Sequence, residues 1–239
     1  MRKIFNYKKS LKNIDTSGWN KARLIDIYIT RPLSAIIVKI VFNTKITPNN
    51  LTLISFTLGM LSALLYFLAK SNYFIYAGII SFSSIIFDTA DGMLARARDE
   101  SSRYGAYLDI FFDRIVDFSI IISITIGVYK QSNNTNILII GLISAGLYLL
   151  QINLFYLKKS YLKITKTGDT GEYRVLLFIL ILLFSIFNKL EIFIYLMLSE
   201  TIIVSFGHFI HFCIIGIKEK NLFPGSMKPD TDKSETRKN

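Results

Sequence analysis

Asp88 and Asp91 stand three residues apart, and Asp109 and Asp113 stand four apart. On an α-helix either spacing puts the pair on one face. The stretch between the two pairs is centred near residue 100. In an antiparallel helical hairpin turning there, Asp91 faces Asp109 and Asp88 faces Asp113 at equal depth. Four carboxylates would then share one pocket, about 15 Å or less from the end of the hairpin at 1.5 Å rise per residue. Their mutual repulsion demands counter-charge. Hard divalent cations bound through oxygen suit such a set, and two Mg²⁺ or Mn²⁺ ions balance four carboxylates.

The elements carrying these residues are apolar. Half of the 239 residues are hydrophobic, and long apolar runs cover roughly 50 to 70, 73 to 95, 105 to 129, 135 to 157, 173 to 188 and 190 to 217. Most reach the ~20 residues needed to cross hydrocarbon. The expected fold is therefore an all-α integral membrane protein, a bundle of six transmembrane helices. A charged side chain inside such a span is rare and points to function. Residues 22 to 43 differ, because Asp26, Arg31 and Lys39 interrupt the apolar pattern. This suits an amphipathic helix lying in the interface, with Pro32 in its first turn and Thr30 as its cap. The expected division is a 1–45 segment holding that helix, a 46–217 membrane domain and a disordered 218–239 tail.

The net charge of +11 follows the same topology. Lys and Arg crowd residues 1 to 47, the turn after the second span (Arg96, Arg98, Arg103), the loop 158 to 174 and the tail, twenty-four in all. The opposite loops hold only Lys70, Lys130 and Lys189. The positive-inside rule then puts both termini and the aspartates at the cytoplasmic face. The basic residues mark topology, which argues against a nucleic-acid partner. The single cysteine, Cys213, excludes an intramolecular disulfide and reads as a small buried apolar residue.

The stretch DTADGMLARARDESSRYGAYLDIFFD, from Asp88 to Asp113, resembles the pattern D-x-x-D-G-x-x-A-R-x8-G-x-x-x-D-x-x-x-D of the CDP-alcohol phosphotransferase family. The fixed positions are carried by Asp88, Asp91, Gly92, Ala95, Arg96, Gly105, Asp109 and Asp113. The segment ITPNNLT before the first span is similar as well. The resemblance implies transfer of a substituted phosphate from a CDP-alcohol to an acceptor hydroxyl, with release of CMP, in phospholipid biosynthesis. It implies Asp88, Asp91, Asp109 and Asp113 as ligands of two Mg²⁺ or Mn²⁺ ions, with Asp113 also the general base. It implies Thr47, Pro48, Asn49, Gly92, Ala95, Arg96 and Ser102 as the CDP site, and a homodimer. The expected donor is CDP-diacylglycerol and the expected acceptor a small polar alcohol. A soluble CDP-alcohol donor, or diacylglycerol as acceptor, is the alternative within the family.

Other residues carry weaker signals. Asp117, one turn beyond Asp113, is expected to pair with Arg114 instead of binding metal. Structural ion pairs of the aspartates with Arg96, Arg98 and Arg114 are the bland alternative to a metal site. Arg174 and His208 are candidates for an acceptor pocket; His208 and His211, near Glu200, lack the third ligand a zinc site needs. Lys158, Lys159, Lys163 and Lys166 read as cytoplasmic anchors. The span six helix has no Arg or Lys before Lys218, which argues against a phosphorylated acceptor held by a basic residue there, as in the inositol-phosphate branch of the family. The RPLS and TPNNLT segments and the DRIVD stretch resemble inositol-type members and argue the other way. A cation-coupled transporter is the rival from another class, but its sites favour the midplane and helices broken by Gly or Pro. These spans have no interior Pro, and their aspartates lie near one surface.

Overall fold

A computed structural model describes the backbone of residues 26–161 and 170–222, and everything below concerns those residues. A turn of π-helix, Asp26–Thr30, leads into α1 (Arg31–Val41). Six longer helices follow: α2 (Pro48–Leu68), α3 (Ser71–Arg98), α4 (Arg103–Ser132), α5 (Thr135–Tyr161), α6 (Thr170–Ile186) and α7 (Leu190–Leu222). Four are long and apolar enough to cross a membrane: α2, α3 over Asn72–Arg98, α5 over Thr135–Leu157 and α7 over Leu190–Ile214. Tyr173–Ile186 is a shorter apolar helix. α4 has the length, but Asp109, Asp113, Arg114 and Asp117 interrupt its apolar run. α7 continues past the last apolar residues to Leu222. Lys163 and Lys166 lie outside the described residues.

Tight turns make the helices antiparallel neighbours. Ala69, Asp99, Asn133 and Asn188 each adopt positive φ where a helix ends, and the amides of the first three bond back to the preceding turn. Thr47 and Ser102 open α2 and α4, accepting hydrogen bonds from the amides of Asn50 (3.3 Å) and Gly105 (2.9 Å). Each thereby satisfies one orphan donor of its helix start. Thr30 does not do the same for α1. Its backbone is helical (φ −69°, ψ −47°), and its hydroxyl turns back to the Asp26 carbonyl and carboxylate. The chain is already wound before Pro32, so no free helix start remains there to cap.

α3 and α4 each pack on α2; α3 also contacts α1 and α6, α4 packs on α5, and α5 on α7. The main core runs between them through Tyr66, Phe74, Ile85, Ile120, Ile124 and Phe178. A second cluster, Val38, Val41, Leu51, Ala90, Met93 and Leu94, fastens α1 and the start of α2 to the last turns of α3. Arg98 completes that joint by donating to the carbonyls of Val41 (2.7 Å), Phe42 (2.8 Å), Thr44 (3.1 Å) and Ile46 (2.6 Å). Those are acceptors of a helix end and its following loop, where intrahelical donors run out. Arg98 is thus committed to backbone and not to the aspartates. The charges interrupting the first apolar run pair with each other, Arg31 with Asp26 at 2.6 Å.

Glycines set the close approaches. A Cβ at Gly127 would collide with the carbonyl of Tyr66, while one at Gly146 would meet nothing within 4 Å. Backbone cannot move aside as a side chain can. Gly127→Ala is therefore expected to destabilise the fold by about 1–3 kcal/mol and Gly146→Ala to change it by less than about 1 kcal/mol. Thermal unfolding of the two variants in the same detergent checks this.

Candidate active site

The hairpin of α3 and α4 gathers the acidic residues as their spacing predicts. Oxygens of Asp88, Asp91 and Asp109 all lie within 4.8 Å of one another. Asp91 is buried, and the Thr52 hydroxyl of α2 donates to its Oδ2 at 2.5 Å. Asp113 stands beside the group, joined to Asp88 through one nitrogen: Arg174 Nη1 lies 2.9 Å from Asp88 Oδ2 and 2.6 Å from Asp113 Oδ1. Asp88 is thus the common member, close to Asp91 and Asp109 and linked through Arg174 to Asp113.

Arg174, buried near the start of α6, is the counter-ion of this cluster. Its Nε donates to Asp117 Oδ1 at 2.8 Å while its Nη1 serves Asp88 and Asp113. Asp117 is almost wholly buried and also accepts from the Tyr148 hydroxyl at 2.8 Å. The expected pairing of Asp117 with Arg114 exists at a looser 3.6 Å. The strong ion pairs run to Arg174, which the sequence reading placed at an acceptor pocket. Thr52 and Tyr148 escaped that reading altogether, since a lone hydroxyl in an apolar run carries no spacing signal.

Charge counting shows what the cluster can hold. Asp88, Asp91, Asp109, Asp113 and Asp117 face the guanidinium groups of Arg114 and Arg174, which leaves carboxylate charge in excess. Asp109 Oδ1 is buried with no hydrogen-bond partner. An acceptor atom in that state has lost its water and gained nothing, which a cation would remedy. Ligand oxygens around Mg²⁺ sit about 2.1 Å from the ion, so three oxygens within 4.8 Å need only a small inward movement. The all-oxygen donor set suits Mg²⁺ or Mn²⁺ and is poor for softer metals.

The residues expected to bind CDP meet at the same end of the bundle. Thr47, Pro48 and Asn49 open α2, Gly92, Ala95 and Arg96 lie on the last turns of α3, and Ser102 caps α4. Arg96 lies across Gly92, where a Cβ would stand 3.2 Å from its Nη1. Asn49 Oδ1 and Ser102 Oγ both border Gly105, within 3.4 Å and 3.1 Å of a Cβ built there. Small residues thus leave room beside the carboxylates for a flat or extended ligand.

A cavity of about 750 Å³ adjoins the cluster on the other side of Arg174, between α5, α6 and α7. Its polar lining includes Arg114, Tyr148, Gln151, Arg174, Glu200 and His208. His208 packs edge-on against Phe155, with ring centroids 6.2 Å apart, and Gln151 donates to Glu200 at 3.2 Å. Arg174 and His208 therefore border one space. His211 is exposed and does not join it. Cys213 is exposed too, contrary to the buried position expected from its type. It falls on the outer face of α7, where bilayer hydrocarbon would serve a thiol as well as a protein core.

Arg174→Gln would remove the guanidinium from Asp113 and leave Asp117 only Tyr148 and the looser Arg114, a loss of about 3–5 kcal/mol for a broken buried pair. The expected result is a lower unfolding temperature that Mg²⁺ raises more in the variant than in the parent. Equal shifts with and without Mg²⁺ would show that the carboxylates do not gather a cation.

Comparison with known proteins agrees with this arrangement. The sequence profile of the family described as CDP-alcohol phosphatidyltransferase matches residues 45–210. The archaetidylinositol phosphate synthase of Pyrococcus horikoshii is 35% identical over 113 residues, covering 47% of this chain and 58% of that protein. The phosphatidylinositol phosphate synthase of Corynebacterium glutamicum is 35% identical over 97 residues, 41% of this chain and 42% of that one. The matched part is thus less than two thirds of either relative. The crystal structure of Mycobacterium tuberculosis phosphatidylinositol phosphate synthase with CDP-DAG bound superposes with a TM-score of 0.59 at 18% identity, covering 76% of this chain and 92% of that one. At that identity the likeness speaks for the fold alone. Because the profile spans most of the sequence and includes every aspartate of the cluster, this chain belongs to the CDP-alcohol phosphatidyltransferase family.

Proposed function

We propose that this chain is a metal-dependent membrane transferase that moves a phosphatidyl group from CDP-diacylglycerol to an alcohol and releases CMP. The observation that carries the reading is the grouping of Asp88, Asp91 and Asp109 within 4.8 Å, with Asp113 beside them. Asp88, Asp91, Asp109 and Asp113 would hold two Mg²⁺ or Mn²⁺ ions. Bound there, such ions supply neutralisation of the diphosphate and stabilisation of the departing CMP.

The chain's own residues do the rest. Arg174 fixes Oδ1 of Asp113, and Oδ2 takes the proton of the acceptor hydroxyl as its oxygen attacks the phosphatidyl phosphorus. The bond from that phosphorus to CMP breaks, and CMP leaves with the electron pair. Thr52 steadies Asp91 through its hydrogen bond. Thr47, Pro48, Asn49, Gly92, Ala95, Arg96 and Ser102 line the space for the CDP moiety, and Arg174 and His208 border the acceptor pocket.

The remaining topology follows from charge. α4 and α6 cross the membrane with the four apolar helices, giving six spans over 46–217. α1 lies in the interface, with Ser34, Val38 and Val41 turned inward and Leu33, Ile36 and Ile40 left outward for the bilayer. The distribution of Lys and Arg puts both termini and the active site in the cytoplasm, and the working form is a homodimer, as the family resemblance implies. Incubation with Mg²⁺ and CDP-diacylglycerol plus a panel of alcohols, followed by CMP release and product mass, tests the activity. CMP formed only with an alcohol present supports it. Cation flux in liposomes without CMP under any condition contradicts it.

A further inference from the structure

The proposal concerns the acceptor, and it rests on the transferase reading above. The cavity between α5, α6 and α7 holds about 750 Å³ and reaches from Arg174, near the start of α6, to Phe193, near the start of α7. These are opposite ends of an antiparallel pair, so the space runs along the helices into the depth of the bilayer. Leu180, Phe193 and Met197 typify its wall, which is overwhelmingly apolar. α7 packs mainly on α5 and only lightly on α6. At the gap between α6 and α7, Tyr173 is 56% exposed and Ile203 69% exposed, although both also line the cavity. In a membrane that open side meets hydrocarbon.

The charges of the cavity fit an uncharged occupant. A phosphate monoester carries roughly −1.5 to −2 charges near neutral pH and needs several free cationic donors. Arg174 already serves Asp88, Asp113 and Asp117. Arg114 faces Asp117 at 3.6 Å, and Glu200 adds a negative charge to the wall. Among the described residues, what remains is one guanidinium nitrogen and one amide, fewer donors than a phosphate needs and enough to orient a hydroxyl. Arg114 Nε is a buried donor and Gln151 Oε1 a buried acceptor, neither with a hydrogen-bond partner. They sit in an apolar space of ligand size, as a site that orients one polar end of a mainly apolar ligand should.

We propose that this cavity receives the acceptor, and that the acceptor is an uncharged lipid alcohol entering from the bilayer between α6 and α7. Its hydroxyl lies at the Arg174 end, next to Asp113, and its hydrocarbon fills the space past Leu180. This replaces the small polar alcohol expected from sequence. It also separates the chain from the relatives named as inositol phosphate synthases. The chemistry is unchanged: the lipid hydroxyl oxygen bonds to phosphorus, its proton passes to Asp113, and CMP departs with the electrons of the broken bond.

The test uses the full chain in nanodiscs with Mg²⁺. CDP-diacylglycerol and CDP-choline are each paired with monoacylglycerol, diacylglycerol, glycerol, inositol or inositol 1-phosphate. The expected result is CMP release with an uncharged lipid alcohol and none with inositol 1-phosphate. Release from CDP-choline alone, with a lipid alcohol, supports the acceptor proposal while retiring the phosphatidyl donor. Release from CDP-diacylglycerol with inositol 1-phosphate or a free polyol alone keeps the transferase reading and overturns this proposal. Leu180→Trp, or the gentler Met197→Phe should the first fail to fold, narrows the cavity. Either is expected to raise the acceptor KM about tenfold with donor KM and kcat unchanged, the signature of lost uniform binding. A rise in donor KM instead would assign the cavity to a donor acyl chain and overturn the proposal.

Discussion

Asp113→Asn is expected to lower kcat by about a thousandfold, the middle of the range for loss of a positioned general base, while the affinity for the CDP donor stays within about threefold of the parent. The asymmetry comes from geometry. Asp88, Asp91 and Asp109 form the compact group, whereas Asp113 is set to one side, its Oδ1 held by Arg174 at 2.6 Å. An amide keeps the size of the carboxylate and one oxygen for Arg174, so packing around α4 survives. It has no oxygen that can carry away a proton. Single-turnover CMP release and donor titration, measured on the same preparation, separate the two effects. Parent-like turnover in the variant would remove Asp113 from the base role, and a large loss of donor affinity would make it chiefly a ligand.

The second large effect is removal of divalent ions. EDTA is expected to reduce CMP release by at least about a hundredfold, since cations on a transferring phosphoryl group contribute several kcal/mol, and about 2.7 kcal/mol is a hundredfold in rate. Mg²⁺ or Mn²⁺ should restore it. The protein should also respond without substrate. Two guanidinium groups do not balance five carboxylates, so an added cation binds the folded cluster and not the dispersed carboxylates of the unfolded chain. At a hundred times Kd such binding stabilises by about 2.7 kcal/mol, visible as a higher unfolding temperature. Turnover that survives exhaustive chelation would contradict the cluster's assignment.

The features legible in the sequence were those set by helical period and chain direction. Asp88, Asp91, Asp109 and Asp113 need only a helix repeat and one tight turn to converge, and Asp99, at φ 60°, provides that turn. Thr47 and Ser102 entered from sequence only as CDP-site residues by resemblance, and their capping of α2 and α4 emerges from the structure. Arg174 was harder to place. It bonds to Asp88 across 86 positions in the chain, and nothing in its own neighbourhood tells a buried counter-ion from a loop anchor. Thr52 reaches Asp91 over 39 positions, a contact made by how α2 leans on α3. Thr30 looked like a cap because composition does not reveal that the preceding turn is already helical. Cys213 looked buried because residue type says nothing about which side of a membrane helix faces lipid.

The weak apolar signal of α4 also reflects long-range partners. Its charges weaken the apolar signal of a span, yet Asp117 is buried against Tyr148 and Arg174. A helix that carries the site gives up hydropathy to do so, and its partners make up the difference with hydrogen bonds and ion pairs.

If the α3–α4 hairpin builds a divalent-metal site, crystals grown with Mn²⁺ will reveal it by anomalous scattering. Anomalous peaks are expected among the carboxylates of Asp88, Asp91 and Asp109, with Asp113 adjoining, and their loss in Asp91→Asn. Mn²⁺ peaks elsewhere, or an Arg174 pairing with Asp88 and Asp113 that persists unchanged in saturating Mn²⁺ with no peak between the helices, would contradict it.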